Sequence, residues 1–410
     1  MKLLVIDGNS IMNRAFYGIR TLTNSQGVNT NALYGFLTTL HRHLKEEEEC
    51  RVAAAFDLKA PTYRHKMFKD YKAGRKPMPE ELREQFPIIK QMLDALGVVR
   101  IEREGLEADD IIGILSRECS DDGEKCVIIT GDRDAFQLTD ENVTVKLATT
   151  KQGGTQDEIY TPAEIKAKYG LDVSQLIDLK ALMGDSSDNI PGVAGVGEKT
   201  AVTLLEKYGT LEGVYENIEE IKGALKTKLE NGKDSAFMSR ELGRIIRKSD
   251  LLDITEKDIL PPKMNESEFL SLLRKYDLKR IIKLYGLDES TAPSVSDAKK
   301  ETKASEVEVS AVSDTTCLAD ERLFVVCNGD MIAVRTKDGV SLLELNENTL
   351  KAMDGKKIVT HDAKPLLKKM LTAGVSATLE FDTMLAGYIL DPSSSEYPLS
   401  QIIEESSSVS

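Results

Sequence analysis

The sequence predicts an α/β protein in three parts: a mostly parallel sheet with helices on both faces, a helical lobe, and a partial α/β module that follows a linker. Apolar runs alternate with helical periodicity over residues 1–170, which is typical of a parallel sheet. Strand signals fade over residues 171–287 and return in residues 321–410. Residues 288–320 contain almost no large apolar side chains, which indicates a flexible linker.

The first part contains four apolar runs with strand character. They span residues 3–6, 52–56, 98–101 and 126–130, and residues 31–45 between the first two have helical periodicity. Because helices return the chain to the same end of the sheet, strands in this pattern pair in parallel. The second part is predicted to be helical, with a glycine-rich turn at 192–197. In the third part, runs at 323–326, 331–334, 341–345 and 357–359 predict strands, and 364–371 predict a helix.

The charge balance, 54 Lys and Arg against 68 Asp and Glu, argues by itself against a nucleic-acid partner. Many of the acids, however, form short clusters, and a carboxylate cluster needs cations to neutralise it. No segment is long and apolar enough to span a membrane, and an acid at position 7 comes too early for a secretion signal. The five cysteines lack metal-finger spacing. We therefore expect a cytoplasmic protein with reduced thiols.

Nine acidic residues follow predicted strands, open a predicted helix or lie in a turn. Each group alone has an ordinary explanation, such as the preference of helix N-termini for acids or the use of Asp in turns. In a parallel sheet, however, the carboxyl ends of the strands meet at one edge, where ligands bind. The nine are Asp7, Asp57, Glu107, Asp109, Asp110, Asp132, Asp134, Asp185 and Asp188.

Such a set of carboxylates predicts a centre with two divalent metals. Ligands that are all oxygen suit Mg²⁺ or Mn²⁺. Two such ions roughly 4 Å apart form a centre that hydrolyses phosphodiester bonds by activating water, with no protein nucleophile.

Two further segments are suited to holding DNA. The turn at 191–200 contains Gly195 and Gly197 before a helical pattern, and its backbone N–H groups are candidates for binding a phosphate. A plain connection between helices would also use glycine. Residues 63–77 interleave cations with aromatic residues shortly after Asp57. Such a run is usually a solvated helix face, but here it would also fit a phosphate and a frayed base.

Seven segments together resemble the 5′-nuclease domain of bacterial DNA polymerase I, within the flap endonuclease superfamily. The resemblance covers about residues 1–290 and departs from the family pattern at no acidic position. The segments are Val-Ile-Asp-Gly-Asn-Ser, Ala-Phe-Asp, Tyr-Lys-Ala-Gly-Arg-Lys-Pro, Glu-Ala-Asp-Asp, Thr-Gly-Asp-Arg-Asp-Ala-Phe-Gln-Leu, Gly-Asp-Ser-Ser-Asp-Asn-Ile-Pro-Gly-Val and Gly-Val-Gly-Glu-Lys-Thr-Ala.

This resemblance implies a PIN-like sheet and a role for each site residue. Around the first metal it places Asp7, Asp57, Glu107 and Asp109, and nearer the second Asp110, Asp132, Asp134, Asp185 and Asp188. It implies that Lys72 and Arg75 belong to an arch over the scissile phosphate, with Arg14 and Tyr71 at the mouth of the site. It makes the glycine turn a helix-hairpin-helix clamp that often holds K⁺. The expected DNA contacts are Arg14, Arg64, Tyr71, Lys72, Arg75, Gly195, Val196, Gly197, Lys199 and Thr200.

The family removes 5′ flaps and RNA primers at nicks and junctions, so the resemblance implies replication and repair. It also implies a monomer associated with the bacterial nucleoid, whose polymerase domain is missing from this chain. Residues 321–410 resemble the opening of a 3′–5′ exonuclease domain. That fragment is expected to be inactive, because residues 325–329 lack the Asp-x-Glu pair and Pro365 stands at the position of the next acid.

Two other hypotheses remain at this point. A PIN-like ribonuclease also gathers acids at a sheet edge, although such domains are usually smaller and lack the glycine hairpin. A non-catalytic scaffold for DNA junctions would have no reason to keep carboxylates that repel one another.

Overall fold

A computed structural model describes residues 1–151, 154–287, 309–337, 339–390 and 397–406. The chain divides into two units, Met1–Ala292 and Pro293–Ser410. The predicted sheet domain (1–170) and helical lobe (171–287) therefore belong to one unit.

The first unit is built on a six-stranded sheet. Its strands are β1 (Leu3–Asp7), β2 (Arg51–Ala55), β3 (Val99–Ile101), β4 (Cys126–Thr130), β5 (Val143–Lys151) and β6 (Gly154–Tyr160). Its helices are α1 (Gly8–Gly18), α2 (Asn31–Glu46), α3 (Tyr63–Met67), α4 (Glu80–Arg83), α5 (Gln85–Leu96), α6 (Ala108–Asp121), α7 (Pro162–Tyr169), α8 (Leu176–Met183), α9 (Glu198–Tyr208), α10 (Leu211–Glu216), α11 (Gly223–Asn231), α12 (Lys233–Gly243), α13 (Glu266–Lys275) and α14 (Lys279–Leu284).

The strand order is β3-β2-β1-β4-β5-β6, and every neighbouring pair is parallel except the β5–β6 hairpin. The mostly parallel sheet and its first four strands are thus confirmed. The hairpin was not predicted, although the alternation of Val143, Val145 and Leu147 with polar residues is a strand signal. All five residues of β1 are buried, as expected for a central strand covered on both faces.

Helices cover both faces of this sheet, and alternate residues of β1 point into different cores. Leu4 and Ile6 join the core formed with α1, α2 and α5. Leu3 and Val5 join the core formed with α6. This alternation follows from the two-residue repeat of a strand.

The predicted helical lobe ends earlier than residue 287. The described residues with a core of their own in this region run from Leu171 to Ala236. Beyond them, Ile245 packs on the α6 side of the sheet, and Phe269 and Ile281 pack on the α2 and α5 side. Periodicity shows that a helix has an apolar face, but not which surface that face meets.

The second unit contains another six-stranded sheet, in the order β12-β11-β8-β9-β10-β7. Its elements are β7 (Val309–Ala311), β8 (Arg322–Asn328), β9 (Met331–Arg335), β10 (Val340–Glu344), β11 (Lys357–Thr360), β12 (Thr378–Asp382), α15 (Glu347–Ala352), α16 (Ala363–Thr372), α17 (Thr383–Leu390) and α18 (Leu399–Ser406). Strand β7 pairs with β10, so the predicted linker, 288–320, is wrong over 309–320. Its remaining part, 288–308, lies outside the described residues.

None of the described helices combines the length and the apolar character needed to cross a membrane.

Candidate metal centre and its basic rim

The carboxyl ends of three neighbouring strands carry the first acids of the site. Asp7 ends β1, Asp57 lies two residues beyond β2, and Asp132 lies two residues beyond β4. Register places Ile6 opposite both Ala54 and Ile129, so the three strands end at the same level. The sheet therefore brings these acids to one edge, as the sequence predicts.

Asp7 is the innermost of these acids, with only 4% of its surface exposed. Its two oxygens accept hydrogen bonds from the Ser10 N–H (2.9 Å) and the Thr130 hydroxyl (2.7 Å). Burial raises the pKa of Asp7 to about 7, and the carboxylates of Asp57 and Asp132 add to the rise. A nearby cation would favour the ionised form of this buried carboxyl and so lower its pKa.

Helix α6 supplies the next two acids from its first turn. Glu107 is its N-cap, and the N–H of Ala108 donates to Asp57 (2.8 Å), which ties the helix start to the end of β2. The pKa of Asp109 lies well above its ordinary value. Burial is the main cause, and repulsion from Asp7, Asp132, Asp134 and Asp57 adds to the rise. Among the described residues, no hydrogen-bond donor contacts the Asp109 carboxylate. These five aspartates therefore repel one another, and Asp109 has no compensating donor among the described residues.

Asp110 departs from the predicted set of metal ligands. It is completely buried, and Arg64 binds both of its oxygens at 2.7 Å. The N–H groups of Glu107 and Ile246 also donate to it, each at 3.0 Å. Four protein donors thus occupy its acceptor positions, so Asp110 holds α6 in place and is not placed to bind a metal. Arg64 is only 2% exposed and is already paired with Asp110, and its predicted contact with DNA stays a prediction.

Glu107 and Asp188 form a second acidic group, which is already compensated by cations. The Lys72 ammonium lies 2.9 Å from Glu107, and Arg75 forms an ion pair with Asp188. The Tyr71 hydroxyl donates to both acids, at 3.1 and 3.3 Å. Tyr71 is only 4% exposed, so its ring is not available here for the predicted stacking on a base.

Lys72 adopts an unusual backbone conformation beside these acids. Its φ is 58°, which is left-handed, and its N–H donates to the Asp188 carbonyl (2.9 Å). Strain of this kind, on the order of 1–3 kcal/mol, persists where surrounding contacts require it. The contacts aim the Lys72 ammonium at the acidic edge of the sheet, while Arg75 remains exposed on the rim.

Lys180 is a site residue that the sequence did not predict. From α8 it contacts both Asp134 and Asp185, at 2.5 and 2.8 Å. Burial raises the pKa of Asp134 to about 6, against the opposing effect of Lys180. Burial would also raise the pKa of Asp185, but Lys180 and Ser187 lower it to about 2. The sequence shows only that a lysine lies five residues before Asp185, and this spacing alone does not predict a contact.

Arg14 is a cation of the rim for which the described residues provide no acidic partner. Its Nε is buried without a hydrogen bond in the described part of the chain, and its side chain packs against Gly131. A Cβ at position 131 would lie 2.2 Å from Arg14 Cδ, so glycine is needed there. Gly131 immediately precedes Asp132, so the Arg14 side chain lies next to the chain segment that carries this acid.

The predicted hairpin joins α8 to α9 in the first unit. Gly195 has a φ of 76°, Gly197 is the N-cap of α9, and Lys199 is exposed in its first turn with the less exposed Thr200. Val196 is 4% exposed and packs in the lobe's core, so only its backbone can reach DNA. Lys228 Nζ, an unpredicted neighbour, lies 3.1 Å from the Gly195 carbonyl oxygen. The turn thus presents the start of an 11-residue helix with lysines beside it.

The donor set of the cluster fits hard divalent cations. Every side chain in it offers only oxygen, and Asp109 has no other compensation, whereas a zinc site in proteins usually includes His or Cys. Fold and cluster together define a class of α/β protein with a group of carboxylates at the carboxyl edge of a mostly parallel sheet.

Comparison with known proteins supplies the family. Residues 2–170 match the model of the 5′-3′ exonuclease N-terminal resolvase-like domain, and residues 171–266 match that of the 5′-3′ exonuclease C-terminal SAM fold. The chain belongs to the 5′-3′ exonuclease family.

Curated relatives carry the name DNA polymerase I. The relative from Caldicellulosiruptor bescii is 38% identical over 97% of this chain and 47% of its own length. The relative from Bacillus subtilis (strain 168) is 37% identical over 96% of this chain and 46% of its own length. The chain therefore spans about half the length of these relatives.

Solved structures resemble the chain as well. T5 5′-exonuclease with bound divalent metal ions (zinc) has 21% identity and a TM-score of 0.47, over 69% of this chain and 99% of that one. The catalytic core of Rad2 in complex with DNA substrate has 17% identity and a TM-score of 0.47, over 69% of this chain and 90% of that one.

Proposed function

We propose that this protein is a divalent-metal-dependent 5′-nuclease that hydrolyses phosphodiester bonds of DNA at 5′ ends and 5′ flaps. The observation that carries the proposal is Asp109, a buried carboxylate that Asp7, Asp57, Asp132 and Asp134 repel and that no donor contacts among the described residues. Family membership supports the same activity.

We propose that two divalent ions, Mg²⁺ or Mn²⁺, neutralise these carboxylates. Asp7, Asp57 and Asp109 would hold the first with Glu107, and Asp132, Asp134, Asp185 and Asp188 the second. Bound ions of this kind supply an activated water nucleophile and stabilise the leaving oxygen. Lys72 pairs with Glu107, and Arg75 pairs with Asp188. Lys180 pairs with both Asp134 and Asp185. Metal ions would therefore compete with these protein cations for the four acids.

The chain's own cations would bind and orient the DNA. Lys72 and Arg75, which pair with Glu107 and Asp188, would hold the phosphate beside the reacting bond together with Arg14, which packs against Gly131. The hairpin at Gly195 and Gly197, with Lys199, would bind a phosphate of the duplex farther along. K⁺ at this turn stays a prediction, because the carbonyls of Gly192, Val193 and Gly195 already accept hydrogen bonds from protein donors.

Flapped, nicked or RNA-primed DNA is the substrate class that this arrangement suits. The acidic edge with its cations fits a single-stranded 5′ end, and the hairpin fits the neighbouring duplex. We propose that the protein acts as a monomer in the bacterial cytoplasm, near the nucleoid, in primer removal and repair.

The second unit would contribute no 3′–5′ exonuclease activity. Where an acidic pair would be needed, β8 carries Val325 and Cys327, and Pro365 lies in the first turn of α16. Its buried Asp382 accepts from the N–H groups of Asp362, Ala363 and Met384, a structural use of that carboxylate.

The test is cleavage of a labelled 5′-flap duplex with Mg²⁺ and with chelator, using the intact protein and Asp134→Ala. Asp172→Ala is the matched control, because Asp172 is exposed and pairs only with Lys166 in the described part. We expect metal-dependent cutting near the junction that is lost in Asp134→Ala and retained in the control. A bound but uncut substrate would favour the scaffold hypothesis, and cleavage of RNA alone would favour the ribonuclease.

A further inference from the structure

Three side chains that can ligate a metal meet between α2 and β6, and none of them belongs to the acids around Asp109. His43 and Glu46 lie one turn apart at the end of α2, and Asp157 lies in β6. One nitrogen or oxygen atom of each residue can be chosen so that all three atoms lie within 4.8 Å of one another. The fold therefore brings together a histidine and two carboxylates from elements that are far apart along the chain.

His43 is fully buried between the two carboxylates. Its Nε2 lies 3.2 Å from Asp157 Oδ2, and its Nδ1 lies 3.3 Å from Glu46 Oε2. The contact at Nδ1 lacks hydrogen-bond geometry. Within the described residues, neither His43 Nδ1 nor Asp157 Oδ1 has a hydrogen-bond partner, although both atoms are buried. Because buried polar atoms are rarely left without a partner, these two atoms point to a ligand that lies between them.

The imidazole ring cannot satisfy both neighbours by itself. A neutral ring has one N–H group and one nitrogen lone pair. When the Nε2–H group donates to Asp157, the lone pair of Nδ1 faces the Glu46 carboxylate, and two acceptors then oppose each other. A cation that binds both atoms replaces this repulsion with two attractive contacts.

The separation of these atoms fits a zinc ion. Zinc binds His nitrogen at about 2.0–2.1 Å and carboxylate oxygen at about 2.0–2.2 Å, so two ligands of a tetrahedral site lie roughly 3.3–3.5 Å apart. The distance of 3.3 Å between His43 Nδ1 and Glu46 Oε2 agrees with this value. Residues three apart on a helix share one face, and an imidazole ligand favours Zn²⁺ over Mg²⁺.

Both carboxylates also contact a cation of the protein, but neither cation closes the site. Arg42 lies 2.8 Å from Asp157 Oδ2, which leaves Oδ1 free of partners in the described part of the chain. Lys146 lies 2.8 Å from Glu46 and 2.6 Å from Glu47, so it keeps an acidic partner when a metal binds Glu46. Burial would raise the pKa of Glu46, but the Lys146 ammonium lowers it, so this acid is ionised near neutral pH.

We propose that His43, Glu46 and Asp157 bind Zn²⁺, with His43 Nδ1 and Asp157 Oδ1 as ligand atoms and water completing the coordination. Strand β6 lies at the edge of the sheet, so the ion fastens the β5–β6 hairpin to α2. The site is structural and does not depend on the proposed nuclease activity, because none of its ligands is among the nine predicted acids.

The test is calorimetric titration of the full-length chain with Zn²⁺, in saturating Mg²⁺ so that the acidic edge of the sheet is occupied. We expect one zinc ion per chain at this site, bound at least about tenfold more weakly by Glu46→Gln and by Asp157→Asn, since each variant loses a charged ligand. The Glu46 side chain is 42% exposed, so the Gln variant keeps the fold. The matched control is His41→Asn, a histidine of the same helix that packs against Tyr285 and should bind zinc as the wild type does.

A second measurement is the urea midpoint of unfolding, which Zn²⁺ should raise in the wild type and leave unchanged in Glu46→Gln. Equal zinc affinity in the wild type, Glu46→Gln and Asp157→Asn would overturn the proposal. Nitrogen NMR that finds both ring nitrogens of His43 protonated in the presence of zinc would overturn it too, because a proton would then take the place of the metal. Flap cleavage in Mg²⁺ should be equal in the wild type and Glu46→Gln, so failure of this site is distinguishable from failure of the nuclease.

Discussion

Arg64 and Asp110 form a bidentate ion pair in which both nitrogen–oxygen distances are 2.7 Å and neither residue is more than 2% exposed. The pair joins the basic segment after β2 to the first turn of α6, which also carries Glu107 and Asp109. Asp110, which was predicted as a metal ligand, and Arg64, which was predicted as a DNA contact, therefore pair with each other and position the site.

Removing one partner of this pair should destabilise the protein. We expect Asp110→Ala to lower the free energy of unfolding by about 3–5 kcal/mol, because it leaves the Arg64 charge buried and unpaired. Urea denaturation measures the loss, and Asp253→Ala, which breaks an exposed pair with Arg103, is the control. An Asp110→Asn protein with unchanged stability but weaker Mn²⁺ binding would instead return Asp110 to the set of ligands.

The raised pKa of Asp7 predicts that the metal-free protein loses stability as pH rises. Its folded pKa of about 7 lies above the ordinary value of 3.8, so the folded state binds more protons between about pH 4 and 7. The free energy of unfolding should fall over that window by on the order of 2–4 kcal/mol. Saturating Mg²⁺ should remove the slope, which urea titrations in chelator and in Mg²⁺ would show. A flat profile in chelator would contradict the burial of an uncompensated carboxyl.

Lys180 should compete with metal for its two carboxylates. We expect Lys180→Met to lower the half-saturating Mn²⁺ concentration several-fold, because the ammonium between Asp134 and Asp185 no longer neutralises them. Calorimetric titration measures this, with Lys207→Met, which removes an exposed pair with Glu220, as control. Weaker metal binding in Lys180→Met would mean that the lysine organises the ligands more than it opposes the metal.

Lys72→Ala should affect cleavage more than binding. Because the Lys72 ammonium lies 2.9 Å from Glu107 at the acidic edge, its loss should slow single-turnover flap cleavage by about 10- to 100-fold with a small change in DNA affinity. Lys76→Ala, an exposed neighbour four residues on, is the control. Equal rates for the wild type and Lys72→Ala would show that DNA does not pass beside this side chain.

The hairpin predicts a different kind of defect. Gly195→Ala should weaken duplex binding and make it less dependent on salt, since the new Cβ would lie 2.8 Å from Lys228 Nζ and disturb the phosphate site. Gly209→Ala is the matched control, because Gly209 also has a positive φ, of 80°, but has open space around it. If both variants lose the same affinity, backbone strain and not the hairpin site is responsible.

The sequence by itself determined the acidic edge of the sheet. An apolar run followed by an acid, as at Ile6 and Asp7, is a local pattern, and parallel pairing carries every such strand end to the same side. This is why the sequence alone predicts that Asp7, Asp57, Asp109, Asp132 and Asp134 lie at one edge. The sequence motifs alone were also sufficient to predict the family.

Only the tertiary structure decided which acids are free and which are already paired. The partners of Asp110 and Asp134 lie 46 residues away along the chain. The helix that contains Phe269 packs on α5, far earlier in the sequence. Such pairings depend on which surfaces meet when the chain collapses, and residue spacing contains no measure of that. The same holds for β8, because its alternation shows two faces but not which one other elements of the fold will cover.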